Sequence, residues 1–458
     1  MPQGNVSTKP NMRNTQIKAK RMLRYTRKSF PWIMLLLSAA VSGRLLAADQ
    51  TIAGAGNQRA MKISRQSPMI QSAHALLLKE TNQIRNVKVR NATLDAISSP
   101  STCVAHRAGL TSEEKKLVIT KLLQAGLLDP EDGPRFPGGL EAGVFPPLNN
   151  EGSKCLTLTQ HFDSAPGSSF GSHHSYPGGL AVHEAFNVLS AISLAKEYRE
   201  VYGHLDAKGL PILTPDSSGR PSGIAIDDDI VIAAPIWHDW AKTIVFQWNA
   251  DGTEFEELSI GGNGKTDNYG APGNSKTGAH HILGIAESIA RGMPPALILA
   301  QASAHSAPTM GNEYKVVNWI RAAAIIARLD PVGAGLLRVD SAGSLRLPAK
   351  GGATRTSEGR DNQIYFFVEE IIHNLSDTNY TFAFPAVAQA EAILRPVASR
   401  FGYGNVDVAT YNNGFRNPVL SFISAERLVL IYDDGGEEAV AREVGRLGDV
   451  GVLHAGER

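Results

Sequence analysis

An all-α core, with a helical N-terminal extension and a small mixed α/β C-terminal segment, is the fold class that this sequence predicts. Two observations lead to it. Between residues 179 and 332 apolar residues recur at helical rather than strand spacing, and five segments there carry their own start and stop signals. Beyond residue 338 helical runs alternate with VLSFIS and RLVLIY, short runs rich in β-branched and aromatic residues that are strand-like.

Length and composition set the frame. The chain has 458 residues, 43% of them hydrophobic and 19% charged, which is the balance of a globular protein with room for two or three domains. Its formal net charge is +1, so no basic excess argues for nucleic acid. The N-terminus differs from the rest. A polar, basic stretch is followed by FPWIMLLLSAAVSGRLLAADQ, with small residues at Ala47 and Ala48. This is the pattern of a secretory signal over residues 1–48, starting at Met1 or Met22, with an uncleaved anchor at residues 30–48 as the alternative. The apolar run is short for a bilayer, and Arg44 interrupts it. The expected location is therefore the periplasm or the exterior. Cys103 and Cys155 are the only cysteines. Pairing in an oxidising compartment and separate burial both fit, and the sequence does not choose.

A polar linker is expected over residues 49–70, and a helical region with long Gly/Pro-rich loops over 71–160. Its clearest signal is TSEEKKLVITKLLQAGLLDP, where Thr111 and Glu114 make a capping box. The central domain, residues 161–335, follows with five helical segments. GLAVHEAFNVLSAISLAKEYREVYG puts Val182, Ala185, Phe186, Leu189, Ile192 and Ala195 on one stripe. IDDDIVIAAPIWHDWAK has its aspartates at the helix start, where they suit the dipole, and Pro235 inside. TGAHHILGIAESIARG, PPALILAQASAHSAP and EYKVVNWIRAAAIIARLDP complete the set. A polar Gly/Asn insertion at 249–276 separates the second segment from the third, and residues 336–458 form the mixed C-terminal extension.

Histidine placement is the informative feature. Nine of the thirteen histidines lie between His161 and His305. His183 is in the first turn of the first helix, His238 with Asp239 ends the second, His280 and His281 open the third, and His305 closes the fourth. Asp330 ends the fifth on the line Val316, Ile320, Ala323, Ala327, a spacing that puts a carboxylate on the buried stripe of a 3.6-residue helix. A buried carboxylate needs a cation. His161, His204 and His373 are taken as ordinary.

The order H, HD, H, H, D on successive helices resembles the HD-domain family of metal-dependent phosphohydrolases. Three segments carry the likeness, HHSYPGGLAVHEAFNV, IWHDWAK and GAHHILGIAESI, within roughly residues 170–335. The resemblance implies an HD-domain-like helical bundle and a hydrolase of small phosphorylated substrates. It implies that His183, His238, Asp239 and Asp330 hold one divalent transition metal, and that Asp239 bridges to a second held by His280 and His305. Histidine and carboxylate accept Mn, Fe, Zn, Ni or Co alike. His280 is preferred to His281 because it stands four residues before Gly284 and matches the family's register; His281 is assigned to support or packing. Asn187, one turn after His183, is placed to orient it. Lys242, one turn after His238, and His174, with His173 interchangeable, are placed to meet the substrate phosphate or leaving group. Asp239, Lys242 and His174 are thus the expected catalytic residues. Trp240 after the HD pair is bulkier than the family pattern and is expected to narrow the site. A catalytically silent metal- or ligand-binding sensor, blocked by Trp240 or by the 249–276 insertion, is the alternative.

Overall fold

The computed structural model describes residues 53–202, 208, 214–215, 221–222, 226–254, 256–270, 272–309, 311–348 and 368–453. The expected signal or anchor over residues 1–48 lies outside the described residues. Helix dominates. No helix among the described residues is long and apolar enough to cross a membrane.

Helices begin earlier than the sequence pattern suggests. The expected linker is replaced by α1 (Asn57–Gln66) and α2 (Pro68–Thr81). Polar composition conceals an amphipathic helix there: Ala60, Met61, Ile63 and Ser64 are buried while Arg59, Lys62 and Arg65 face outward. Ser67 caps α2 by accepting from the amide of Ile70 at 3.2 Å, and its hydroxyl donates to the Ser421 carbonyl at 2.6 Å. α3 (Val87–Ser98) and α4 (Ser112–Gln124) follow, and the Thr111–Glu114 capping box forms. A short α5 (Gly139–Val144) sits among the Gly/Pro-rich loops. Cys103 and Cys155 are joined in a disulfide that closes a loop of 52 residues and ties these loops down, a constraint worth about 4 kcal/mol on loop entropy alone.

The centre of the molecule is α7 (Asp228–Asp239), packed between α6 (Gly179–Tyr202), α9 (Ala279–Ala290), α10 (Pro295–Ala302) and α12 (Val368–Ser376). Every residue of α7 from Ile230 to Asp239 is buried, so it is covered on all sides. Its start is fixed as expected: Asp227 caps it, and the Asp229 carboxylate accepts the amides of Arg85 and Asn86, each at 2.8 Å. Its close approach to α9 depends on Gly284, where a Cβ would lie 3.0 Å from the Trp237 carbonyl and 3.2 Å from that of His238. The short α8 (Lys242–Val245) continues from α7, and α11 (Glu313–Ala327) packs on α9. Small antiparallel pairs, Thr214–Pro215 with Pro221–Ser222, Ser259–Ile260 with Thr277–Gly278 and Arg338–Val339 with Leu345–Arg346, are the paired strands among the described residues.

In the C-terminal extension the short pair at 338–346 is the extended structure among the described residues, and the two strands expected further on are corrected. VLSFIS lies in α15 (Asn417–Ile423) and RLVLIY in α16 (Ala425–Asp449), both helical. They join α13 (Tyr380–Arg400) and α14 (Val408–Tyr411) in a second apolar cluster. Short apolar runs do not separate strand from buried helix by periodicity. Gly436 (φ 64°) breaks α16 into two helical stretches, and beyond it Val440, Ala441, Val444 and Leu447 recur at helical spacing on the buried side.

One buried carboxylate locks the N-terminal region to the central bundle. Glu287 of α9 accepts His106 Nδ1 at 2.7 Å, the Ala105 and His106 amides at 3.0 and 3.1 Å, and Arg291 Nε at 2.7 Å. Burial would raise its pKa, but these donors overcome it and hold Glu287 at about 2. Glu287→Ala leaves the buried His106 ring and the Ala105 and His106 amides without their acceptor, so urea denaturation is expected to show a loss of about 2 to 4 kcal/mol.

Candidate metal centre

The site is assembled around the last residue of α7. The Asp239 carboxylate has no exposed surface. His238, beside it, donates from Nδ1 to the Pro235 carbonyl at 2.5 Å, which turns Nε2 inward to 3.3 Å from Asp239 Oδ1. His183 is delivered by the start of α6, where Gly179 is required: a Cβ there would lie 1.9 Å from the His174 carbonyl. Its Nε2 lies 3.2 Å from Asp239 Oδ2 and 3.2 Å from Asp377 Oδ1. His280 opens α9 with Nε2 3.3 Å from Asp239 Oδ1. Glu257, from the insertion, fixes that ring by accepting its Nδ1 at 2.7 Å and its backbone amide at 3.2 Å. His305 lies three residues beyond α10. Its Nδ1 meets the Thr277 hydroxyl at 2.9 Å, and its ring stacks on His281 with centroids 4.3 Å apart.

These side chains offer ligand atoms within 4.8 Å of one another in three overlapping groups: His183, Glu184, His238 and Asp239; His238, His305 and Asp377; and Asp239, His280 and His305. They open onto a pocket of about 380 Å³ lined also by His173, Lys242, Asn374, Thr378 and Tyr380. Lys242 pairs with Asp239 and donates to the Gly167 carbonyl.

The protonation equilibria are those of a site built for positive charge. Burial disfavours a proton on His183, but hydrogen bonds with Asp239 and Asp377 outweigh it and push the pKa up to about 9. His238 is likewise opposed by burial and driven up to about 10 by Asp239, Glu184 and Asp377. Burial would raise Asp239 and Asp377; the imidazoles, with Lys242 at Asp239, hold both well below the usual carboxylate range. His305 lies deep in the molecule yet is open to solvent through the pocket; its depth and the neighbouring His280 bring it down to about 3.

Comparison with protein families, with curated proteins and with solved structures finds no match to this chain. The geometry therefore has to speak for the site.

Of the residues singled out in the sequence, His183, His238, Asp239, His280 and His305 come together, with Asn187, His281, Lys242 and His173 around them. Asn187 donates to Asp377 Oδ1 at 3.3 Å and lies 3.2 Å from His183 Nε2. His281 Nε2 contacts the Ala302 carbonyl at 3.2 Å, behind His305. Asp330 does not join them. α11 ends at Ala327, Arg328 turns the chain in a left-handed conformation, and the exposed Asp330 carboxylate accepts the Val332 and Gly333 amides at 3.0 Å each. Its place is taken by Asp377, just past α12.

His174 also departs from expectation. Its left-handed backbone (φ 51°) turns the ring away from the pocket, so that Nε2 lies 3.3 Å from Glu426. His173 faces the pocket instead. Trp240 does not narrow the site; it is buried against α3, donating to the Ala96 carbonyl at 2.9 Å. His373, expected to be ordinary, packs edge-on against His238 with centroids 4.8 Å apart and contacts the Ala300 carbonyl at 2.7 Å.

Asp377, Glu184 and Glu257 are the site carboxylates that the sequence reading did not single out. Glu184 follows His183 directly, is fully buried, and lies 3.8 Å from His238 Nδ1. Burial, partly offset by His238, raises it to about 8.

The metal-free protein has a definite pH signature. His183 and His238 are raised from 6.5, so their protonated forms stabilise the fold fully below pH 6.5, and that stabilisation is lost as pH rises through about 9 to 10. The melting temperature of metal-free protein is expected to drop across that window, with a shallower drop in His183→Gln; identical slopes would contradict the assignment.

Proposed function

We propose that this protein is an exported HD-type phosphohydrolase that uses two divalent transition-metal ions to cleave a small phosphoester. The single observation that carries the reading is the sharing of Asp239 between two of the three ligand groups, the arrangement a bridging carboxylate needs. The donor set also fits the group. His238 Nε2, His280 Nε2 and Asp239 Oδ1 are buried and face one another at 3.3 Å without making a hydrogen bond, an arrangement too costly to leave uncompensated. Imidazole nitrogen with carboxylate oxygen suits a borderline transition metal.

In this reading His183, His238, Asp239 and Asp377 would hold one ion, and Asp239, His280 and His305 the other. With Asp377 in place of Asp330, the chain order H, HD, H, H, D of the HD family is kept. When bound, the ions would supply the Lewis acidity that phosphoester hydrolysis requires. The chain's own groups do the rest. Lys242, on the pocket wall beside Asp239, places an ammonium where phosphate oxygens would sit. The carbonyl of Gly167 and the carboxylate of Asp239 orient it. His173 lines the same pocket, and burial with the nearby Lys242 charge holds its pKa well below 6.5. It therefore presents a neutral imidazole to the ester. Asn374, Thr378 and Tyr380 give the rim polar atoms for the remainder of the substrate.

A silent sensor required a plugged pocket, but neither Trp240 nor the described part of the insertion lines it. Export agrees with the Cys103–Cys155 disulfide, since such bonds persist in oxidising compartments.

Mass-spectrometric metal analysis on purified protein tests the reading. Wild type is expected to carry about two ions per chain. Asp239→Ala should lose most of the metal and Asp377→Ala at least one ion, while Asp330→Ala keeps both. Hydrolysis of bis-p-nitrophenyl phosphate should fall on the order of a hundred-fold or more in the first two variants. Wild-type protein that takes up no metal after reconstitution would overturn the proposal.

A further inference from the structure

A second pocket lies beside the metal centre and shares no lining residue with it. Its volume is about 620 Å³, and its walls include Phe170, Asn249, Glu254, Glu256 and Glu257. The strand-like turn from Trp248 to Glu254 builds its floor. Asn249 donates from its backbone to the Thr253 carbonyl at 2.8 Å, and Trp248 pairs with Glu254 across Gly252 (φ 79°). That pairing drives the Glu254 side chain inside. Glu254 is 5% exposed, and neither carboxylate oxygen has a hydrogen-bond partner among the described residues. Asn249 Oδ1, equally enclosed, also has none.

Every unsatisfied atom here is an acceptor. An occupant that brings donors would satisfy them, and one that also brings positive charge would ionise Glu254 and meet the carboxylates of Glu256 and Glu257 on the same wall. A neighbouring cation does not meet the need. The Arg416 guanidinium is spent on Glu391, the Ser175 carbonyl at 2.8 Å and Asn417 at 2.8 Å, and it stacks on Phe170 at 4.3 Å. Burial pushes Glu254 up to about 8; Arg416 opposes this, and Asp251 and Glu391 add to it. A cation in the pocket would reverse the net effect.

A single metal ion fits poorly. The ligand groups that converge within 4.8 Å are those at Asp239, and these three glutamates are not among them. Carboxylates spread along a wall suit a ligand whose charges are separated. We infer that this pocket binds an organic ammonium ion of the diamine class, with one ammonium on Glu254 and Asn249 and the other toward Glu256 and Glu257. Phe170, half-exposed on the wall, covers the methylenes between them.

The occupant would be felt at the metal centre. Glu257 lines this pocket and at the same time orients His280 through its ring and its amide. Diamine binding does not require bound metal, so it stands or falls apart from the hydrolase reading.

Isothermal titration of the full chain with putrescine, at constant ionic strength, is the test. One saturable site is expected. Glu254→Gln should weaken it about ten- to a hundred-fold, the worth of a hydrogen bond to a charged group. Glu256→Gln alters an exposed side chain that leaves folding intact, and should weaken binding several-fold. Circular dichroism melting checks that both variants are folded. The absence of saturable heat, unchanged affinity in both folded variants, or full competition by equimolar Mg²⁺ with the same Glu254 dependence would overturn the proposal.

Discussion

Everything in the central bundle answers to one carboxylate. Asp239 is sealed from solvent and terminates α7, so it adds its charge to the negative end of a buried helix dipole. Water is not there to solvate it, and a lone anion in that position would cost several kcal/mol. Positive charge and donors must come from the protein or from a bound ion. α6 contributes His183, α9 contributes His280, the chain beyond α10 contributes His305, and α8 contributes Lys242. Their convergence is the price of that one residue. The helices that cover α7 are also the helices that bring these side chains, so packing and site formation are one event.

Each of these groups is in turn held from outside. The Pro235 carbonyl sets the His238 ring, Glu257 sets His280, Thr277 and the His281 ring set His305, and Asn187 ties Asp377 to His183. The polar Gly/Asn insertion at 249–276 supplies Glu257 and is anchored to α11. Trp319 donates to the Ser275 carbonyl at 2.6 Å, and Arg321 grips Asp267 at 2.6 and 2.7 Å. It braces the site rather than covering it.

Helix ends made most of this legible from sequence. His183, the His238–Asp239 pair and His280 each stand at the first or last turn of a helix, where a side chain can leave the packed stripe and point into a pocket. Asp377 was illegible for a local reason: residues 336–458 looked like a separate segment, and Asp330 already stood on an apparent stripe. The left-handed turn at Arg328 removes it from that stripe, and no periodicity argument foresees such a turn. α6 shows the complementary failure. Its apolar stripe predicts Phe186 and Leu189 inside, yet both are 47% exposed, while His183, Glu184 and Asn187 are buried. Hydrophobic periodicity assumes that the buried face is apolar. A helix that carries a polar site into the core breaks that assumption, and the rotation of its buried face becomes a sign of the site.

Charge balance shows why protons and metal would compete for the same seats. Asp239 and Asp377 are both held ionised, and the ammonium of Lys242 pairs with the first alone. The remaining negative charge is what holds protons on His183 and His238 far above their ordinary range. A divalent ion between these rings and carboxylates removes the need for those protons, so loading should release them. Glu184 then has a distinct part. Its charge is not called for while the imidazolium protons are in place with Asp239 beside them, and burial keeps it largely protonated near neutrality. It lies on the Nδ1 side of His238, so its ionisation would strengthen that ring as a donor to a bound ion. The pair thus places a carboxyl group of adjustable charge behind one of the histidines that share Asp239.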